Sequence, residues 1–464
     1  MTNYINQNGD THLILVIISG NEEEAIKVVK QGNSHPEVVN SYGDTALLLS
    51  IHYSMTTLAH ALLKTKNANP SHIDNHGNSA LILAIKKNLE SVANMIIIIY
   101  DYYNINHIDA HNDNALSISL RLGMYEIADI LINNPECNMA QIDEQGDTPL
   151  IIAIDMCGIV NINLDDENES KLIKIQKEKY RKIAKSLIKT DQSNPSHINK
   201  HGFTALLLAL CKDEPEIAEL IIKTGKSLSH HIGNTGDTAL TLALSKDYEH
   251  IAQLILNIGI CSDKSYISHI NENGDTALLL ALSKNYLGIA NDLLQRNVIH
   301  ISHINENGDT ALFLAINAGN EDIALKIFDS GKSNVEHIST EQCSSLIMAI
   351  NNGMLTLVSK IINVASKELL EFINKENDTV LILAITKQFW QITEQIINTD
   401  LSRPYHVNNQ NDTALILSLA LGNVHIAELL LKNYCNKYHK NNFETSALDI
   451  IKHNNYYSLL KYFI

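Results

Sequence analysis

One eight-residue phrase, Gly-Asp-Thr-Ala-Leu-x-Leu-Ala at Gly274 to Ala281 and again at Gly308 to Ala315, returns from one end of this chain to the other. With its Thr as anchor, the equivalents are Thr11, Thr45, Ser79, Asn114, Thr148, Thr204, Thr238, Thr276, Thr310, Ser344, Thr379, Thr413 and Ser446. The thirteen anchors are spaced 34, 34, 35, 34, 56, 34, 38, 34, 34, 35, 34 and 33 residues apart. Self-similarity at this period marks arrays whose units bury their apolar faces only against one another. The chain is therefore expected to be a single array of about 13 units over residues 1–464, not the roughly three ordinary domains its length would suggest.

Each unit carries the same physical signals. The anchor hydroxyl or amide is a good helix N-cap, and Pro149 after Thr148 sits where a first helical turn tolerates proline. The apolar run that follows, such as Leu278 to Leu282, predicts a short helix. Nine residues past the anchor stand Gly20, Gly123, Gly319, Gly353 and Gly422, or Asn88, Asp213, Asp247, Asn285 and Asn455. These residue types accept the left-handed backbone that ends a helix. A second helix follows, marked by an Ile-Ala-like pair at thirteen and fourteen residues past the anchor, as in Ile289-Ala290 and Ile426-Ala427. Two residues before the anchor, eleven of the thirteen units hold Gly or Asn, which predicts a specific hairpin-like turn between units. The fold class expected is all-α, helix-turn-helix repeats joined by short hairpins.

Composition narrows the function. The chain has 35 Lys and Arg against 52 Asp and Glu, a net charge of -17, so long-range attraction to nucleic acid or anionic membranes is not its expected mode of action. Six scattered cysteines form no C-x-x-C pair and read as reduced structural thiols. The apolar runs, such as Leu13 to Ile18, are far shorter than the roughly 20 residues of a spanning helix. No phosphate loop, zinc-protease, nucleophile-elbow or kinase signature is present, so no enzymatic activity and no cofactor are expected. The expected setting is cytoplasmic, with the nucleus also open, and the expected state monomeric.

The unit resembles the ankyrin repeat: Gly146-Asp147-Thr148-Pro149-Leu150 matches the G-x-T-P-L signature, and Ser446-Ala447-Leu448-Asp449 is similar to a terminal variant. Two departures stand out. Ala usually replaces the Pro, and the histidine that follows T-P-L in the family is replaced by Ile151, Leu207, Leu279 or Ile416. A different histidine ladder, seven residues before the anchor, holds His72, His107, His197, His231, His269, His303, His337, His406 and His439. Stacked repeats lie about 10 Å apart, too far for neighbours to share a metal bound at about 2 Å. The ladder is therefore expected to bond hairpin backbone. The Asn- and Ile-rich wording, with Ser-His-Ile-Asn recurring, is also similar to ankyrin-repeat proteins of giant amoeba viruses, which implies work in a host cell.

The resemblance implies a scaffold for protein–protein interaction with a host or cellular protein, with binding residues on hairpin tips and first-helix ends that face a concave groove. Carried over unit by unit, those positions give a basic stripe of Lys86, Lys87, Arg121, Lys212, Lys246, Lys284 and Lys387, and an aromatic cluster of Tyr42, His52 and Tyr53. An acidic protein segment is the expected ligand of such a stripe, and a nucleic acid or other polyanion the alternative. The 56-residue interval adds about 22 residues between the helices of the fifth unit, near 155–181. Acidic residues there (Asp165, Asp166, Glu167, Glu169) precede basic ones (Lys171 to Lys182), the order a helix dipole favours, so the insertion is expected to lengthen the second helix. The last unit, near 446–464, is expected to cap the array, with no room for a further domain.

Overall fold

The computed structural model describes residues 5–32, 34–65, 67–99, 105–158, 167–258, 265–296, 300–339, 343–399, 403–433 and 435–463, without the side chains of 167–170. Asp165, Asp166 and most of the four-residue excess at 262–265 lie outside the described residues. Two compact units are present, Met1–Ala243 with His250–Cys261 and Leu244–Glu249 with Ser262–Ile464.

Within each unit the chain alternates short helices. A first helix of seven residues, such as Ala277–Ser283, is followed by a second of eight to ten, such as Leu287–Gln295. Every anchor caps its helix: Thr276 Oγ1 accepts the N–H of Leu279 at 3.2 Å, and the other twelve anchors accept the N–H three residues on in the same way. Pro149 occupies the first turn of its helix, as expected. The first helix is sandwiched between neighbouring repeats and buried around most of its circumference, with Ala277 to Leu282 all in the core. The second helix buries one stripe only, Ile289, Ala290 and Leu293 in this repeat. Its alanine is fully buried in repeat after repeat, as at Ala93, Ala128, Ala218 and Ala324, where a larger side chain would hold the helices apart.

The turn positions adopt positive φ where Gly and Asn predicted it. Two residues before the anchor, Gly43 has φ 84°, Asn112 60° and Asn411 61°. At Gly146 the requirement is also steric, since a Cβ there would meet the backbone N of Lys200 in the next repeat at 2.8 Å. Ser54, Gln388 and Glu444 take the same left-handed conformation without being Gly, Asn or Asp. A third such position, ten residues before the anchor, holds His35, Asn69, Asn194, Leu228, Asn334 and Arg403. Only its asparagines carry a compositional signal.

Hairpin backbone pairs antiparallel at single points, Ile73 with Ser79, Ile198 with Thr204, Ile304 with Thr310, and never lengthens into a strand among the described residues. Eight ladder histidines then tie their own hairpins to the one before, and Gln141 Nε2 does the same in repeat 5, donating to the Asn112 carbonyl at 3.1 Å. Nε2 of His72, His107, His197, His231, His303, His337, His406 and His439 lies 2.7–2.9 Å from the carbonyl oxygen two residues before the preceding anchor. A carbonyl only accepts, so each Nε2 carries the proton. These bonds supply the contact between repeats that the missing family histidine would otherwise support.

The fifth repeat departs most from uniform length: its first helix, Pro149–Cys157, has nine residues, and its second is far longer. That second helix runs Glu167–Lys189, 23 residues. The last repeat differs in the other direction: its second helix is a six-residue 3-10 helix, Tyr457–Tyr462, held by Tyr462 and Lys461 to Glu428. The cysteines Cys137, Cys157 and Cys435 are free thiols, and burial pushes the thiols of Cys137 and Cys157 up to about 12, away from the reactive thiolate.

Replacing His303 by Ala leaves the Gly274 carbonyl without its donor. The expected cost is about 1 kcal/mol, read from urea unfolding, with His303→Gln recovering part of it because its amide still donates.

Candidate functional site

Each hairpin is organised by the residue five before the anchor. Asn305 Oδ1 accepts the N–H groups of Asn307 (3.1 Å) and Asp309 (2.8 Å), and its Nδ2 donates to Asp275 Oδ1 of the preceding repeat at 2.8 Å. The same Asn-to-Asp link joins Asn40 to Asp10, Asn199 to Asp147 and Asn441 to Asp412. With His inward at minus seven and Asn inward at minus five, the residue between them must point outward, because side chains alternate along extended backbone. That residue is Ile or Val in twelve of the thirteen repeats. Ile73, Ile108, Ile142, Ile198 and Ile232 in the first unit, and Ile270, Ile304 and Ile338 in the second, are each 37–42 % exposed. The regularity makes an apolar ladder on the outer face of the hairpins of each unit. Sequence reasoning missed it, although the signal was the Ile of the recurring Ser-His-Ile-Asn.

The basic residues of the expected stripe are placed differently from one another. In repeats 3, 4 and 5 the minus-five residue is Asp74, Asp109 or Asp143, which has no amide to donate. The preceding repeat then offers a base seven past its anchor, His52, Lys86 or Arg121. Lys86 Nζ lies 2.8 Å from Asp109 Oδ2, and Arg121 pairs closely with Asp143, with Asp113 and Asp147 at 3.8 and 3.9 Å. Burial would raise the Asp109 carboxyl, but the hydrogen bond from Lys86 and the N–H groups of His111 and Asp113 outweigh it and hold it below the usual range. Asp44 is pushed up by burial and by Asp74, and His52 acts against that shift. Asp113 is raised to about 6 by burial, with Arg121 pulling down and Asp143 and Asp109 pushing up.

Lys212 pairs with Asp155 at 2.8 Å and Lys284 with Asp247 at 2.9 Å, again across repeats. Four of the seven stripe cations are thus committed to carboxylates. Lys246 is half-buried, while Lys87 and Lys387 are exposed at helix ends. The aromatic residues divide: His52 and Tyr53 meet edge to face at 5.2 Å on the end of a first helix, and Tyr42 stands 62 % exposed on its hairpin, its carbonyl accepting from Asn75. Among the described residues, no group of three or more His, Cys, Asp or Glu is placed to hold a metal ion, and no helix is long and apolar enough to cross a membrane.

Two outcomes follow from the acidic cluster. Asp113, raised in the folded state from 3.8 to about 6, contributes stability that is full below about pH 4 and lost as pH rises through about 6. Asp113→Asn should therefore gain on the order of 1 kcal/mol over wild type at pH 7.5, and the gap should close near pH 4.5 in thermal melts. In a double-mutant cycle, Arg121→Ala should destabilise strongly in the wild-type background but much less with Asp143→Asn, giving a coupling on the order of 2 kcal/mol.

A family model described as ankyrin repeats (3 copies) matches residues 172–266 and 346–441. No curated protein matches the sequence. Similar solved structures include the Bd0816 predatory endopeptidase from Bdellovibrio bacteriovorus in complex with immunity protein Bd3460, 25% identical over 39% of this chain and 94% of that one, with a TM-score of 0.32. The ankyrin repeat protein EF0377 is 17% identical over 47% and 98%, with a TM-score of 0.36. An ankyrin repeat domain from Acinetobacter baumannii AYE is 24% identical over 40% and 94%, with a TM-score of 0.33. Helix pairs, hairpins with their left-handed turns and the two family-model matches agree, and the fold of this chain is the all-α ankyrin-repeat solenoid.

Proposed function

We propose that this chain is a non-enzymatic scaffold that binds a protein partner, with the isoleucine ladder of the hairpins as its principal contact face. Ankyrin repeats in general are protein–protein interaction modules, and the observation that carries the reading here is the ladder itself. A chain that exposes one apolar side chain at the same place in repeat after repeat leaves in water apolar surface that a polar residue would avoid, as Lys440 does in repeat 13. Tyr42, Tyr53, Lys87 and Lys387 are exposed on the hairpin or first-helix ends and supply aromatic and charged contacts beside it. The thirteen repeats of residues 1–464 are read as one array serving this purpose, as a monomer in the cytoplasm. The Asn- and Ile-rich wording of the repeats supports a host cell as the setting.

Nucleic acid or another polyanion is the weaker reading. Lys86, Arg121, Lys212 and Lys284 are neutralised by neighbouring carboxylates, and a chain of net charge -17 repels a phosphate backbone.

Affinity capture from eukaryotic cell lysate with mass spectrometry tests the choice, comparing wild type with Ile270→Lys/Ile304→Lys/Ile338→Lys and with Lys212→Glu/Lys246→Glu/Lys284→Glu. Loss of a partner in the isoleucine variant and its retention in the lysine variant is the expected result. Stronger capture of nucleic acid by the isoleucine variant, with no protein lost, would overturn the ladder.

A further inference from the structure

The second helices of the other repeats are eight to ten residues long, but for the six-residue 3-10 helix of the last. The helix Glu167–Lys189 continues about 13 residues toward its N-terminus beyond that length, about 20 Å at 1.5 Å per residue. Its base is fixed from both sides. Tyr180 is buried, its hydroxyl donates to the Leu120 carbonyl at 2.8 Å, and its ring meets Tyr125 edge-on at 5.0 Å. On the other side Arg181 makes a two-pronged contact with Glu214 (2.6 and 3.0 Å), Lys177 reaches the same carboxylate at 3.0 Å, and Lys185 pairs with Glu216 at 2.6 Å. Glu214 is almost wholly buried, so these pairs hold the arm in a defined direction.

At about 100° per residue, Ile173, Lys177, Tyr180 and Arg181 share the face turned to the fold, and their burial agrees. Lys171, Leu172, Ile175, Lys179 and Lys182 fall on an arc of about 100° on the opposite face. All five are exposed, Leu172 at 56 % and Ile175 at 48 %. Between 171 and 182 the chain carries six Lys or Arg and one Glu, a local excess of positive charge inside a molecule of net charge -17. Lys171 and Lys182 form no ion pair with the described residues, and Lys179 stands over the Tyr125 ring at 4.6 Å.

We propose that this outward face is a docking site for an acidic amphipathic helix of a partner protein. Leu172 and Ile175, one turn apart, present the ridge that a partner helix packs against, and Lys171, Lys179 and Lys182, before and after them along the same face, stand where Glu or Asp of that helix pairs with them. Charge complementarity favours this occupant over the alternatives. A nucleic acid or an anionic bilayer extends its negative charge over the rest of this acidic chain, whereas a few turns of helix meet only the arm. Two apolar side chains also bury too little for stable membrane anchoring. The inference shares with the proposed function only the class of ligand, a protein, and uses no hairpin residue, so the two fail separately.

The test is fluorescence anisotropy of a labelled helical peptide of about five turns, Leu along one face and Glu on its flanks, against the full chain at low salt. Wild type should bind it, with affinity falling as salt is added. Leu172→Gln/Ile175→Gln and Lys171→Glu/Lys179→Glu/Lys182→Glu should each weaken binding about tenfold or more, and Ile270→Lys/Ile304→Lys/Ile338→Lys should leave it unchanged. The substituted arm positions are exposed, and a near-native melting temperature in the Gln pair keeps the test decisive if the charge reversal disturbs folding. Equal binding by wild type and the Gln pair, equal binding of a peptide with Lys in place of Glu, or preferential binding of phosphatidylserine vesicles or a DNA duplex overturns the proposal.

Discussion

The hydrogen bond from a ladder histidine to the hairpin carbonyl of the repeat before it is the contact on which the stack depends. Helices of seven residues do not persist alone in water, and the first helix of each repeat is held by its neighbours on both sides. What sets those neighbours at one spacing is a rigid donor, the imidazole Nε2–H, meeting a carbonyl that belongs to a residue in the left-handed conformation, such as Gly43, Gly274 or Asn411. The two ladders therefore constrain each other. A residue that cannot take positive φ would turn the acceptor away, and a side chain too short to reach would leave it unpaired.

Electrostatics is handled locally, repeat against repeat. Where the hairpin residue is Asn, its amide donates to the preceding Asp and no cation is needed, as from Asn305 to Asp275. Where it is Asp, carboxylates of successive repeats crowd together, and a base enters from the preceding first helix, Lys86 against Asp109 and Arg121 against Asp143. Lys86 and Arg121 occupy one register for this reason. Lys86 and Arg121 are partners to Asp109 and Asp143 before they are a surface, and the raised Asp113 carboxyl, pushed up first by burial, is where compensation is incomplete.

Much of the fold was legible because repetition averages local signals. One Thr-Ala-Leu says little, but thirteen at one period locate every first helix and its cap, and Gly or Asn recurring at two offsets located the left-handed turns. Ser54, Gln388 and Glu444 were not legible, since stacking forces onto them a backbone their side chains do not favour, and Leu228 and Arg403 show the same override at a third turn. The carboxylate partners of the basic stripe were not legible for a related reason. Lysines were weighed singly as surface charge, whereas their pairing with Asp in the next repeat was present in the sequence as a correlation between two positions about 22 residues apart. The outward isoleucine was visible but read as wording, because its exposure follows from its inward-pointing neighbours.

The histidine link is indifferent to what lies between its two ends. Donor and acceptor are 28–30 residues apart in most repeats and 51 apart between His197 and Gly146, yet the bond there is as short as any, at 2.7 Å. The stack therefore separates inheritance of shape from acquisition of surface. A chain built this way can carry a longer connection inside a repeat, as it does in the arm, while the hydrogen bond to the neighbouring repeat keeps its length.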